Sequence, residues 1–319
     1  MSLFSLVILT LNAAGPRRVH QGWPTRREAI VSHLKIEAAD AAAFQEIWRS
    51  EDLEALAEGA GHPHRAHDAA LGLAVTSRRP LVSARTLDCG GGYGALRARF
   101  LADGREADLY STRLEEGEGP AAARRLGQLF RLAQLVRAES STRPFALMGD
   151  LAAAPDDRET RLFLDMLEAR DLCISHGDEV CGRTLGERRV DYLLIPYSSR
   201  PPRETARSAF TDPLPSEEES AALSSHFGLR ARLDSSFPRL KLRTQPEGRA
   251  EALVETETIL ERARADAARR ESSAGWLPWL GAQRAAAARD ETARLSALIE
   301  EVRSAVIRAQ RATASLAPS

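Results

Sequence analysis

The sequence predicts an α/β domain followed by a helical hairpin, on three observations. Short apolar runs of strand length end on turn formers, and stretches with helical spacing lie between them. Two neighbouring segments, 93–101 and 107–114, alternate apolar and polar residues as adjacent strands of an antiparallel sheet do. After Asp234 the strand signals stop, and two long stretches keep helical spacing.

Leu3 to Leu11 is a first strand, stopped by Asn12 and broken by Ala13-Ala14-Gly15-Pro16. Arg26 to Ala38 places Ile30, Leu34 and Ile36 among charges and reads as a helix. Ala41 to Phe44 is a second short strand ending on Gln45-Glu46. Ser50 suits the N-cap of a helix over 51–58. His62, His64 and His67 follow in what reads as a loop. With no helix or strand face to fix them, the loop reading outweighs metal binding. Residues 72–77 form a strand ended by Arg78-Arg79-Pro80, and Gly90-Gly91-Gly92 is a turn without the strand-to-helix setting of a phosphate loop.

Pro120 sits well at a first helical position, and Leu126, Leu129, Leu132, Leu135 and Val136 give the helix to Glu139 a buried stripe. Pro144 to Met148 is a buried strand that ends on Gly149-Asp150. A helix over 157–169, a strand over 189–195 interrupted by Asp191, and a long exposed loop over 196–223 follow. Ser224-Ser225-His226 precedes a last strand, Phe227 to Leu233. Leu253, Thr256, Leu260, Ala263 and Ala267 keep helical spacing, as do Leu295, Leu298, Val302, Ala305 and Ala309. The turn between them holds Trp276 and Trp279. Such a hairpin either packs on the main domain or a second copy, the favoured reading, or meets a membrane surface.

Net charge is −1, so the composition indicates no general nucleic-acid or membrane-surface field. Cys89, Cys173 and Cys181 make no metal pattern. The default is free, mostly buried thiols in a reducing compartment, hence a cytoplasmic protein. The N-terminus lacks a basic leader region, and no apolar stretch reaches the ~18 residues of a membrane span.

Five polar residues end or interrupt the apolar strands: Asn12, Glu46, Asp150, Asp191 and His226. If the strand ends converge, their oxygens favour a hard cation such as magnesium, calcium or manganese. A histidine held by a carboxylate is then a ready general base for water. Metal plus activated water is a usual route to phosphate-ester hydrolysis. Each residue also has an ordinary reading: turn residue, helix start, partner of a neighbouring arginine, or loop histidine.

The ordered segments LVILTLNAAGP, AAAFQEIW, GLAVTSRRPL, DLYSTRL, PFALMGDLAAAPDD, RRVDYLLI and LSSHFGL span about residues 3 to 233. In that order and spacing the chain resembles the endonuclease/exonuclease/phosphatase superfamily, and within it the neutral sphingomyelinases. The resemblance implies a four-layer α/β sandwich: two packed, mostly antiparallel sheets with outer helices over residues 1–233. Residues 234–319 would add the helical extension. It implies a magnesium- or manganese-dependent phosphodiester hydrolase whose substrate is sphingomyelin-like, a membrane lipid, more than nucleic acid. The protein would then lie at the membrane periphery.

By the same resemblance, Glu46 would hold the metal and Asn12 would follow the first strand. Asp150 would handle the attacking water or the phosphate, Asp191 would orient His226, and His226 would be the general base. Three positions depart from the family pattern. Thr112-Arg113-Leu114 stands for Thr-His-Leu, Gly149-Asp150-Leu151-Ala152 for Gly-Asp-x-Asn, and Ser224-Ser225-His226 for Ser-Asp-His. Arg113 keeps a charge for a phosphate but cannot donate a proton near neutral pH. Ala152 lacks a positioning amide, a loss worth on the order of 10²–10³ in rate. Ser225 lacks a supporting carboxylate. The alternative is thus a binding or scaffold protein that keeps the fold.

Overall fold

The computed structural model describes residues 4–17, 22–102, 104–175, 178–197, 199, 206–211, 223–235, 246–273 and 278–314. The chain runs β1 (Phe4–Asn12), α1 (Trp23–Glu37), β2 (Ala41–Gln45), α2 (Ser50–Ala60), β3 (His64–Asp68), β4 (Leu73–Ser77), β5 (Leu81–Gly90), β6 (Tyr93–Ala102) and β7 (Arg105–Arg113). It continues with α3 (Pro120–Glu139), β8 (Phe145–Asp150), α4 (Arg158–Leu167), β9 (Ala169–Asp171), β10 (Ile174–Ser175), β11 (Asp178–Glu179), β12 (Asp191–Pro196), β13 (Arg207–Ala209) and β14 (Gly228–Ser235). Helices α5 (Pro246–Ser273) and α6 (Pro278–Ala314) close it.

Two six-stranded sheets stack, in the orders β13-β14-β1-β2-β4-β3 and β5-β6-β7-β8-β12-β9. Pairing is antiparallel except β1 with β2 and β7 with β8. The central strands read as continuous apolar runs because both faces are buried. In β1, Leu6 and Ile8 face the second sheet, while Val7, Leu9 and Leu11 face α1 and α2. In β8, Ala146 and Met148 face the first sheet, while Phe145 and Leu147 face α3 and α4.

The hairpin α5–α6 adds a further layer. Leu253, Leu260, Leu295, Leu298 and Val302 belong to the same apolar cluster as Leu126 and Leu129 of α3 and Phe163 of α4. A Cβ on Gly127 of α3 would lie 2.3 Å from Leu298 Cδ2, so the absence of a side chain lets α6 seat on α3. The aromatic turn around Trp276 lies outside the described residues, and no described helix is long and apolar enough to cross a membrane.

Several local expectations change. Ser50 is the first helical residue of α2 and Arg49 is the N-cap, without a side-chain cap bond. Of the three histidines predicted on a loop, His62 lies between α2 and β3 as expected, whereas His64 and His67 are on the edge strand β3. His62 is buried, bonded to Thr76 Oγ1 at 2.7 Å and Ala39 O at 2.8 Å, which accounts for its polar atoms. The stretch expected as an exposed loop over 196–223 contains β13 and buries Ala206, Ala209, Phe210 and Leu223. The cysteines are not all free: Cys173 and Cys181 are disulfide-bonded, and only Cys89 is a buried thiol. The antiparallel pairing of β10 with β11 brings the pair together, with Val180 N–H donating to Cys173 O at 2.8 Å.

Candidate active site

Strands β1, β2, β7 and β8 end on the same side of the stacked sheets, and β12 starts there. Three backbone bonds tie the ends: Ala13 N–H to Gln45 O at 3.0 Å, Leu114 N–H to Asp150 O at 3.1 Å, and Leu151 N–H to Val190 O at 2.9 Å. Sequence positions far apart therefore converge, as a site at sheet edges requires.

Asn12 is the hub. Its Nδ2 lies 3.2 Å from Asp150 Oδ2, 3.3 Å from Glu46 Oε1 and 3.5 Å from His226 Nε2. Its Oδ1 accepts the Ala14 N–H at 3.0 Å, which fixes the amide's orientation. His226 Nδ1 lies 2.9 Å from Asp191 Oδ2, so the carboxylate settles which ring nitrogen carries a proton and leaves Nε2 facing Asn12. Asp191 is fully buried, and its Oδ1 has no hydrogen-bond partner among the described residues. Arg113, at the end of β7, donates from Nε to Glu46 Oε1 at 3.1 Å, with its guanidinium carbon 5.7 Å from the Tyr93 ring centroid. The structure thus brings together all six predicted site residues.

The backbone is strained here. Ala14, Glu46 and Ala152 have φ of +46°, +58° and +55°, a region that costs roughly 1–2 kcal/mol for a residue with a Cβ. At Gly149 (φ +133°) a Cβ would meet Thr112 O at 2.1 Å, so only glycine lets β8 pass β7 before Asp150.

Asp150 faces Asp191 directly across the β8–β12 ladder. Burial first, then the Asp191 charge, push its carboxyl up to about 7, against the pull of His226 and the Ala152 N–H. Burial works against a charged His226 ring. The bond and charge of Asp191, with the charges of Asp150 and Glu46, outweigh it and raise the ring to about 9.

Other side chains hold the site that spacing did not reveal. Ser224 Oγ donates to Asn12 O at 2.6 Å and accepts the His226 N–H at 3.2 Å. Thr184 Oγ1 accepts the backbone N–H of Val190 and of Asp191, at 3.0 and 3.2 Å. Gln45 bonds Thr10 and Ser111 beneath the site, bridging the two sheets. Ser224 had a signal, two residues before the histidine; Thr184 had none. A cavity of about 1180 Å³ opens between the loops 117–119, 154–157 and 182–189 and helix α5, which contributes Ile259, Arg262 and Ala263. None of the six site residues lines it.

The sequence profile described as Endonuclease/Exonuclease/phosphatase family matches residues 9–226. No curated protein sequence matches the chain. Among solved structures, D. rerio TDP2 with a single-strand DNA product superposes with a TM-score of 0.60 at 15% identity, over 72% of this chain and 98% of that one. Sphingomyelinase C from Streptomyces griseocarneus gives 0.57 at 17%, over 72% and 99%. A Staphylococcus aureus beta toxin variant with bound magnesium ions gives 0.56 at 12%, over 72% and 100%.

Proposed function

Because the chain belongs to the endonuclease/exonuclease/phosphatase family, we propose that it is a phosphodiester hydrolase with His226 as general base and a sphingomyelin-like lipid as substrate. The observation that carries the reading is the bond from His226 Nδ1 to Asp191 Oδ2 at 2.9 Å, beside Asn12 and Asp150. The likeness to sphingomyelinases motivates the lipid, and the chain's near-neutral charge gives a nucleic-acid backbone little to bind.

The family implies a divalent cation, and Glu46 is the side chain that would hold magnesium or manganese. The residues present do not fit that ion. Glu46 Oε1 already accepts from Asn12 and Arg113. Among the described residues no three His, Cys, Asp or Glu side chains come together as a metal site.

Asp191 holds the His226 ring through Nδ1, and in the neutral ring, whose share grows as pH rises toward about 9, Nε2 can take a proton. Water placed against that nitrogen gives up the proton as its oxygen bonds to phosphorus, and the phosphorus bond to the leaving alcohol breaks. The Arg113 guanidinium is the donor for the phosphoryl oxygens, while the Asn12 amide holds Glu46 and Asp150 in place. Arg113 stays protonated, so the departing alkoxide takes its proton from solvent.

A second reading, phosphate-group binding without turnover, is favoured by Arg113, Ala152 and Ser225 standing where the family pattern has His, Asn and Asp. The test is release of phosphocholine from sphingomyelin and of nitrophenol from bis(p-nitrophenyl) phosphate. His226→Ala should lower both by on the order of 10²–10⁴. Wild-type protein no faster than His226→Ala on either substrate would remove the hydrolase reading and leave the binding one.

A further inference from the structure

The Arg113 side chain is about four-fifths covered, and so is that of Glu46, the carboxylate it meets at 3.1 Å. Arg113 is placed by its strand. In the β7–β8 ladder it stands opposite Asp150, and in the β6–β7 ladder opposite Gly94, which offers no side chain to displace it. Glu116 Oε1 lies 3.6 Å from its Nη2 and Tyr93 lies beneath it, so the guanidinium is held on several sides. Arg26 adds a second positive charge. It donates from Nη2 to Ala13 O at 3.3 Å and to Ala14 O, in the loop after β1, and it lies within the field of Glu46. Glu46 thus bonds one guanidinium group and lies in the field of a second.

A divalent ion beside Glu46 would enter against both. Two like unit charges at ~4 Å near a protein surface repel by an amount equal to about a thousandfold in affinity. The acid that the family pattern has at the position of Ser225 is not there to offset this.

We propose that the Arg113 guanidinium is the resident cation of this site, standing beside Glu46 in place of a metal ion, so that phosphate-group binding by this chain is independent of divalent metal. The proposal rests on the phosphoester reading above, since it supplies the cation for that site. A guanidinium offers two parallel N–H donors to a phosphoryl group, whereas it gives attacking water no Lewis acid. His226 then bears the whole activation of water.

The test is calorimetric, on the full chain freed of metal with a chelator, with circular dichroism confirming the fold of each variant. Magnesium chloride is titrated first. Wild type and Arg113→Lys should take up none in the millimolar range, Arg113→Ala should bind it, and adding Glu46→Gln to Arg113→Ala should abolish that binding. If Arg113→Ala does not fold, Arg113→Gln serves in its place.

Inorganic phosphate is then titrated in EDTA and in magnesium. Wild type should bind equally in both, and Arg113→Ala should bind about thirtyfold more weakly in EDTA. Magnesium uptake by wild type that Glu46→Gln removes overturns the proposal, as does a folded Arg113→Ala that gains none. Phosphate binding by wild type only when magnesium is present overturns it while leaving the phosphoester reading intact. Absence of phosphate binding in both buffers, with the expected magnesium pattern, overturns the phosphoester reading itself and the phosphate half of the proposal.

Discussion

At the residue scale, the site is governed by how far each proton equilibrium is displaced. His226 has its ring raised to about 9, so its neutral, basic form grows as pH rises toward that value. Hydrolysis should therefore climb through the alkaline range, with a midpoint near pH 9 in the log kcat/KM profile. Asp191→Asn removes the largest influence holding the proton and leaves burial to act, so the midpoint should move to lower pH as the rate falls. An unmoved midpoint would separate the profile from His226. Asp150 is raised for the opposite reason, because burial and Asp191 disfavour its charge. Its folded value of about 7 lies above the ordinary 3.8, so its contribution to stability is complete below about pH 4 and is lost as pH rises through 7. Asp150→Asn should raise Tm at pH 8 by about 2–4 °C per kcal/mol recovered, and by less at pH 5. Equal shifts at both pH values would rule out a titrating Asp150. The five strand-end residues were legible because each interrupts an apolar run, a local signal. Ser224 and Thr184 were not, because they act through backbone atoms that only the folded chain brings near.

At the element scale, strands buried on both faces and helices with a leucine stripe announced themselves; α3 runs from Pro120 to Glu139 as its pattern predicts. What escaped was edge structure. The short strands β3 and β13 carry histidine, arginine and serine, and their pairing partners β4 and β14, not their own composition, make them strands. Gly127 is the element-scale contact with the most at stake. Gly127→Ala places a methyl group against Leu298 and should cost ~1–3 kcal/mol by overpacking. Leu298→Ala in the same chain should recover part of that loss. The check is a double-mutant cycle of denaturant midpoints, and strict additivity would show that α6 does not seat on Gly127.

At the scale of the whole molecule, the hairpin shares one apolar cluster with the second sheet and its helices. The salt bridges Arg131–Glu301 and Arg158–Glu255 span the same boundary, though exposed pairs of this kind add little. Calorimetry should show a single unfolding transition, with α5 and α6 melting together with the sheets. Two resolved transitions would make the extension a separate cooperative unit. The fold of residues 9–226 was legible because a family order of motifs runs through it. The docking of the hairpin was not, because helical spacing shows which face is apolar without showing what covers it.

The Cys173–Cys181 bridge gives the molecule a chemical memory of where it was made. Protein unfolded in denaturant without reductant should take up one equivalent of iodoacetamide, at Cys89, if it matured where thiols oxidise. Three equivalents, read by intact mass, would record maturation among reductants, with the two cysteines held near each other by the β10–β11 backbone bonds alone.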